Sequence, residues 1–149
     1  MAASGRLKAR YAANLTSVGK SANISMEHGV MTRLSRPVLW IKAALKDFQE
    51  FPKDAQLICL RSLTIAGEGG KSDIAKPMHG FGSGVFEIAL AHRGDAFRVV
   101  YAVQLDEALW VIHAFQKKST RGINTPKHEV DLIADRIKRL KQTLKESGK

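Results

Sequence analysis

Three cations crowd one short stretch of this chain. HAFQKKSTRG, 113–122, carries Lys117, Lys118 and Arg121 directly after the apolar run ALWVIHAF. Lysine offers phosphate a mobile point charge, and arginine adds a planar two-pronged donor. Such a group can hold a nucleic-acid backbone and offset charge on a phosphorane-like transition state. A solvated loop that only keeps the protein soluble has the same spacing. Arg98 is the sharper signal. In AFRVVYAV, 96–103, strand alternation sends Phe97, Val99 and Tyr101 to one face and leaves Arg98 with Val100 and Ala102 on the other. An arginine in mid-sheet among small apolar residues needs a partner or a ligand. Glu87, on the preceding strand, can pair with it across the hairpin. That glutamate can also orient the arginine or act as a base.

Other candidates are weaker. KPMHGFGSG, 76–84, is glycine-rich and holds Lys76 and His79, but no Lys-Ser or Lys-Thr opens a helix after it, so it is not a nucleotide-binding loop. His79 can face a phosphate or exchange a proton. His92, His113 and His128 lack metal-ligand spacing with one another and with Cys59. Neither a metal nor another cofactor is expected. Cys59, the single cysteine, lies among Ile58, Leu60 and Leu63 and reads as a buried structural thiol. The Arg-Gly-Asp at 93–95 reads as turn chemistry.

Charge agrees with the cationic cluster. The 149 residues carry 24 Lys and Arg against 14 Asp and Glu, a formal charge of +10. Such a surface favours polyanions: nucleic acid first, an acidic protein second. No apolar run is long enough to span a membrane, and the N-terminus lacks the apolar core of a secretory signal. With a single cysteine, a reducing cytoplasm is the expected location.

The elements that must position these residues follow from periodicity. Residues 1–34 read as an extension outside the domain, either disordered or preceding the true start, with Met26 and Met31 as alternative starts. Residues 1–30 hold four cations and one acid, so +7 of the +10 remains with the rest. The domain spans 35–149. PVLWIK predicts a first strand and AALKDFQEF a helix that Pro52 interrupts. Ala55, Cys59, Leu63 and Ala66 mark a second helix. VFEIALA, AFRVVYAV and ALWVIHAF predict an antiparallel meander joined by HRGD and LDE. The last of these is apolar on both faces, as in a central strand. Thr125 is placed as cap and Pro126 in the first turn of a helix whose stripe is Val130, Ile133, Ile137, Leu140 and Leu144. The class is α+β: a small antiparallel sheet with a mixed edge, two N-terminal helices and a C-terminal amphipathic helix.

In order, GFGSGVFEIAL, RGDAFRVVYAV and WVIHAFQKKSTRGINTPKHEVDLIADRIKRL resemble the phage-derived, HigB-like branch of the RelE/ParE toxin superfamily. The resemblance covers about residues 36–140. It implies a RelE-like fold and the toxin of a type II toxin–antitoxin pair. Such a toxin is a metal-independent endoribonuclease acting on translated mRNA, with the ribosome and a small helix-turn-helix antitoxin as partners. Arg98 matches the family's second-strand arginine, and Lys117 and Lys118 its basic pair. Glu87 matches a common family position. With Arg121, Lys76, His79 and Arg93 as RNA contacts, these residues form the expected site. Ala89 stands where HigB-like members often carry a cation, and His92 or Arg93 is a candidate substitute. Two other readings stay open: a ParE-like inhibitor of DNA gyrase, and a catalytically inactive module that binds antitoxin.

Overall fold

The computed structural model of the chain describes residues 35–117 and 125–147. The proposed extension, Lys118 and Arg121 lie outside the described residues. A short strand β1 (Val38–Trp40) leads into helices α1 (Lys42–Phe48) and α2 (Lys53–Gly67). Strands β2 (Ala75–Pro77), β3 (Val85–His92), β4 (Asp95–Leu105) and β5 (Ala108–Lys117) follow, and α3 (Lys127–Ser147) closes the order. The sheet order is β1-β5-β4-β3-β2. β1 runs parallel to β5, and every other pair is antiparallel. The α+β class, the two leading helices and the mixed edge match the sequence expectation. β2 was not expected.

The sheet is covered on both faces. α1 and α2 place Ala44, Phe48, Ala55, Cys59 and Leu63 against Trp40, Val99, Tyr101 and Val111. Phe48 bridges Trp40 and Phe51 at ring separations of 4.8 and 5.3 Å, and Phe51 reaches Phe97 at 4.7 Å. Tilted pairs of this kind add to the gain from area burial alone. On the other face Ile133, Ile137 and Leu140 of α3 pack against Val85, Val100, Ala102, Trp110 and Ile112. β5 lies between β1 and β4 and is apolar on both sides, as its sequence predicts. Truncating Trp110, which is fully buried, to alanine costs about 3–5 kcal/mol.

The β3–β4 turn is a two-residue hairpin. His92 pairs with Asp95, while Arg93 and Gly94 both hold positive φ (52° and 86°), the signature of the primed turn that suits strand twist. Gly84 (φ 84°) packs so tightly that an added Cβ would lie 2.8 Å from the Gln104 side chain, which explains one glycine of the 76–84 segment.

The cap of α3 differs from expectation. Pro126 occupies the capping position, its carbonyl accepting the Glu129 and Val130 N–H groups at 3.0 Å. Thr125 sits one residue earlier and donates its hydroxyl to Glu87. The hydroxyl thus serves a tertiary partner as a donor, whereas a cap would use its oxygen to accept an N–H of the first turn.

Candidate functional site

Strand register builds the site. On the face that α3 covers, β3 contributes Glu87, Ala89 and Ala91, whose partners on β4 are Val100, Arg98 and Ala96. The next partners, on β5, are His113, Phe115 and Lys117. A β-bulge makes this alignment possible. Tyr101 pairs with Val111 but Val100 pairs with His113, so Ile112 is an extra residue. Val111 packs on the α1–α2 side and Ile112 on the α3 side, yet Ala114 is again on the α1–α2 side. Simple alternation from Val111 would have sent Lys117 to the face opposite Arg98. The bulge returns it to the same face.

Arg98 is only 9% exposed. Its Nη1 donates to the Phe97 carbonyl at 3.2 Å, and its Nε has no acceptor. The pairing with Glu87 expected across the hairpin does not form. Register sets Glu87 opposite Val100 and Arg98 opposite Ala89, a diagonal relation. Glu87, also buried, accepts the Thr125 hydroxyl at 2.6 Å instead. Around Arg98 the floor is alanine: Ala89 and Ala96 are half-buried and Ala91 is exposed. Lys117, opposite Ala96 and buried, is the diagonal neighbour of Arg98, about 7–8 Å away between backbones. Two cations thus share a corner floored by small side chains.

The remaining expected residues are spread out. Lys76 pairs with Glu87 from edge strand β2 and is exposed on the same face. His79 is exposed in the loop leading to Val85, at the end of β3 away from Ala91. Arg93 is exposed and ion-paired with Asp54 at 3.3 Å. Asp54 lies in the first turn of α2, on the other side of the sheet, so Arg93 does not join Arg98.

One buried polar group escaped the sequence reading. His113, dismissed there as a metal ligand, is 3% exposed. Arg136 Nη1 meets its Nδ1 at 2.9 Å and donates to the Ile112 carbonyl at 3.2 Å. Arginine only donates, so Nδ1 must be the unprotonated acceptor. The proton is then on Nε2, which donates to Glu129 Oε1 at 2.8 Å. Burial pushes the His113 pKa below its ordinary value, with the Arg136 charge adding to that and Glu129 opposing it. Burial also lowers the Arg136 pKa. The His113 ring stacks on Phe115 at 5.1 Å, and Phe115 is the strand partner of Arg98. The network therefore braces the floor of the cationic corner and ties α3 to β5. Glu129 and Arg136 are seven residues apart, on one helical face, which was the available signal.

Cys59 is fully buried and its pKa is pushed up to about 12 by burial, as expected of a structural thiol. Among the described residues no three His, Cys, Asp or Glu side chains are grouped to hold a metal. No helix among them is long and apolar enough to cross a membrane.

A family model described as "Phage derived protein Gp49-like (DUF891)" matches residues 46–138, more than half of the chain. The match takes in Glu87, Arg98, His113, Lys117 and the part of α3 that holds Glu129 and Arg136. A search of curated proteins gave no match.

Proposed function

The chain belongs to the phage-derived Gp49-like family, and we propose that it is the toxin of a type II toxin–antitoxin pair. In this reading it is a metal-independent endoribonuclease of the HigB-like branch that cuts translated mRNA in the cytoplasm. Its partners are the ribosome and a small helix-turn-helix antitoxin. The observation that carries the reading is Arg98: a buried guanidinium without a carboxylate partner among the described residues, its Nε unpaired, beside Lys117 on an alanine floor. A fold keeps so costly a group where a ligand completes it.

In the proposed reaction the ribose 2′-oxygen attacks the adjacent phosphorus and the 5′-oxygen leaves. The 2′-hydroxyl loses a proton and the leaving oxygen gains one. Arg98 binds the phosphate and offsets the charge that builds on its non-bridging oxygens. Lys117 and Lys118 hold the backbone, with Arg121 and Lys76 as further contacts. Glu87 keeps one carboxylate oxygen beyond its bond to Thr125, the candidate acceptor of the 2′ proton. The small Ala89 beside Arg98, where HigB-like members often carry a cation, supports a second reading in which the domain binds gyrase or only antitoxin.

Induced expression in a bacterial host, with primer extension on abundant transcripts, separates these readings. Growth arrest with new cuts inside translated regions, lost in R98A/K117A, is the expected result. Arrest with intact RNA would move the function to gyrase, and no arrest would leave the binding module.

A further inference from the structure

Two exposed cations of α3 are ion-paired, Lys127 with Asp131 and Arg139 with Asp135. Lys138, Lys141 and Lys145 are exposed and have no ion pair among the described residues. They stand three and four residues apart, on one face, where like charges repel. Lys141 also lines a cavity of about 200 Å³ between α3 and the glycine-rich loop before β3. Gly82, Ser83 and Gly84 form the loop side, with Gln104 of β4 beside them. Positive φ at Gly82 (80°) and Gly84 (84°), on either side of Ser83, suits a loop that gathers successive N–H groups around an anion. The N–H groups of these three residues donate to no backbone carbonyl among the described residues. An added Cβ on Gly82 would meet nothing within 4 Å, so a ligand can approach its backbone closely. Gln104 accepts the Ser83 hydroxyl at 3.0 Å through Oε1, which leaves its NH₂ to donate. Donors and one ammonium thus meet over apolar residues, and no carboxylate among the described residues lines the cavity. Asp106 and Glu107, the acids next along the chain, are not part of it.

We propose that this notch binds a backbone phosphate of single-stranded RNA, as a second station for the strand whose scissile phosphate sits at Arg98; it rests on the reading of that corner as an RNA site. Register supports the link. Val85 and Ala102, paired across β3 and β4, also line the cavity. Ala102 lies four residues from Arg98 on the same strand and face, hence about 14 Å away. Lys76, exposed on β2, stands in the row between them, with Glu87 and Val100. α3 covers Val100 and Ala102 themselves, so the open route for the strand runs past Lys76 on the β2 side. Lys141 offsets the charge of one phosphate, while the loop N–H groups and Gln104 bond its oxygens. Lys138 and Lys145 draw the strand in from the helix side. These groups contact the phosphate and no base edge, so the notch adds affinity and register without sequence preference.

The test uses the full ¹⁵N-labelled chain and a 2′-O-methyl RNA, which has no free 2′-hydroxyl and cannot be cut. A length of about ten nucleotides covers the span even when stacked at about 3.4 Å per residue. The RNA is expected to shift the amides of Gly82, Ser83 and Gly84. K141Q should weaken binding about three- to tenfold and reduce the slope of log K against log salt by about 0.7, the value for one phosphate contact on a single strand. K53Q removes the same charge from an exposed position on α2, across the sheet, and should change neither quantity. R98A should bind more weakly but still shift the loop amides at saturation. Unmoved loop amides, or equal losses in K141Q and K53Q, would overturn the proposal. Loop shifts in a chain that cuts no mRNA in the host would leave the notch standing and remove only the nuclease reading. Cleavage by K141Q at the wild-type rate, with the loop amides unmoved by RNA, would remove the notch and leave the nuclease.

Discussion

Replacing Arg98 by methionine separates a ligand-binding arginine from a structural one. The guanidinium is buried, and the described residues supply one hydrogen bond, from Nη1 to the Phe97 carbonyl at 3.2 Å. Burying a charge without a paired carboxylate costs several kcal/mol even after relaxation. The single bond offsets at most about 3 kcal/mol of that, and the unpaired Nε adds about 1–3 kcal/mol to the cost. Methionine keeps an unbranched stem of similar reach, so contact with Phe115 and the flanking alanines is largely retained. The diagonal like charge of Lys117 also loses its opponent. The net expectation for R98M is a gain of at least about 1 kcal/mol, or about 3–6 °C in Tm for a domain of this size. Cleavage of translated mRNA should be lost in the same variant. Thermal unfolding and a ribosome-coupled cleavage assay on one preparation read both quantities. A fall in Tm of several degrees would refute the reasoning, because it would make Arg98 a structural group whose loss removes activity only by loosening the sheet.

Removing the Glu87–Thr125 bond should cost about 1–3 kcal/mol, with T125V and E87Q each lowering the urea midpoint and the double variant little worse than either; additive losses would show that the two do not act as a pair. His113 has a lowered folded pKa, so the unfolded chain binds more protons just below its ordinary value of 6.5. The stability due to the neutral ring is therefore full above about pH 6.5 and is lost as pH falls through the folded pKa; Tm from pH 7.5 down to 5 should drop more steeply for wild type than for H113Q, and parallel curves would exclude this origin. Native protein should resist maleimide at Cys59 at neutral pH, since the thiol is buried and its pKa is about 12; rapid labelling without unfolding would contradict the packing of α2. K117M should lose cleavage with little change in fold, and a K117M chain that cuts RNA like wild type would remove Lys117 from the site.

Much of the framework could be read in the sequence because periodicity was clean. Ala55, Cys59, Leu63 and Ala66 face the sheet from α2, and Ile133, Ile137 and Leu140 do so from α3. The hairpins at Arg93–Gly94 and Asp106–Glu107 were announced by turn residues. β2 was not legible: three residues ending in proline, before a glycine-rich loop, carry no period, and only pairing with Phe86–Ile88 makes them a strand. The bulge was hidden for the opposite reason. ALWVIHAF is apolar on both faces, so it has no alternation for an extra residue to interrupt. Arg98 was found because it breaks an otherwise apolar face. The salt bridge forecast for it failed on register, since opposite and diagonal positions cannot be told apart without the turn geometry.

The bulge at Ile112 and the buried His113 network solve one problem together. A strand that is central at Trp110 needs both faces apolar, but a site at its end needs a cation on one chosen face. Plain alternation couples those demands, so that the packing of Val111 would fix the direction of Lys117. One extra residue uncouples them. The bulge, however, places Ile112 and His113 side by side on the α3 face and disturbs the ladder there. Arg136 answers that by donating to the Ile112 carbonyl as well as to His113, and Glu129 takes the imidazole N–H. The same contacts fix the first turns of α3, just after Thr125 is bound to Glu87. A buried histidine and its half-buried partners on α3 thus set where Arg98 and Lys117 sit. Substitutions at His113, Glu129 or Arg136 should therefore act on the Arg98–Lys117 corner through geometry and leave its charge unchanged.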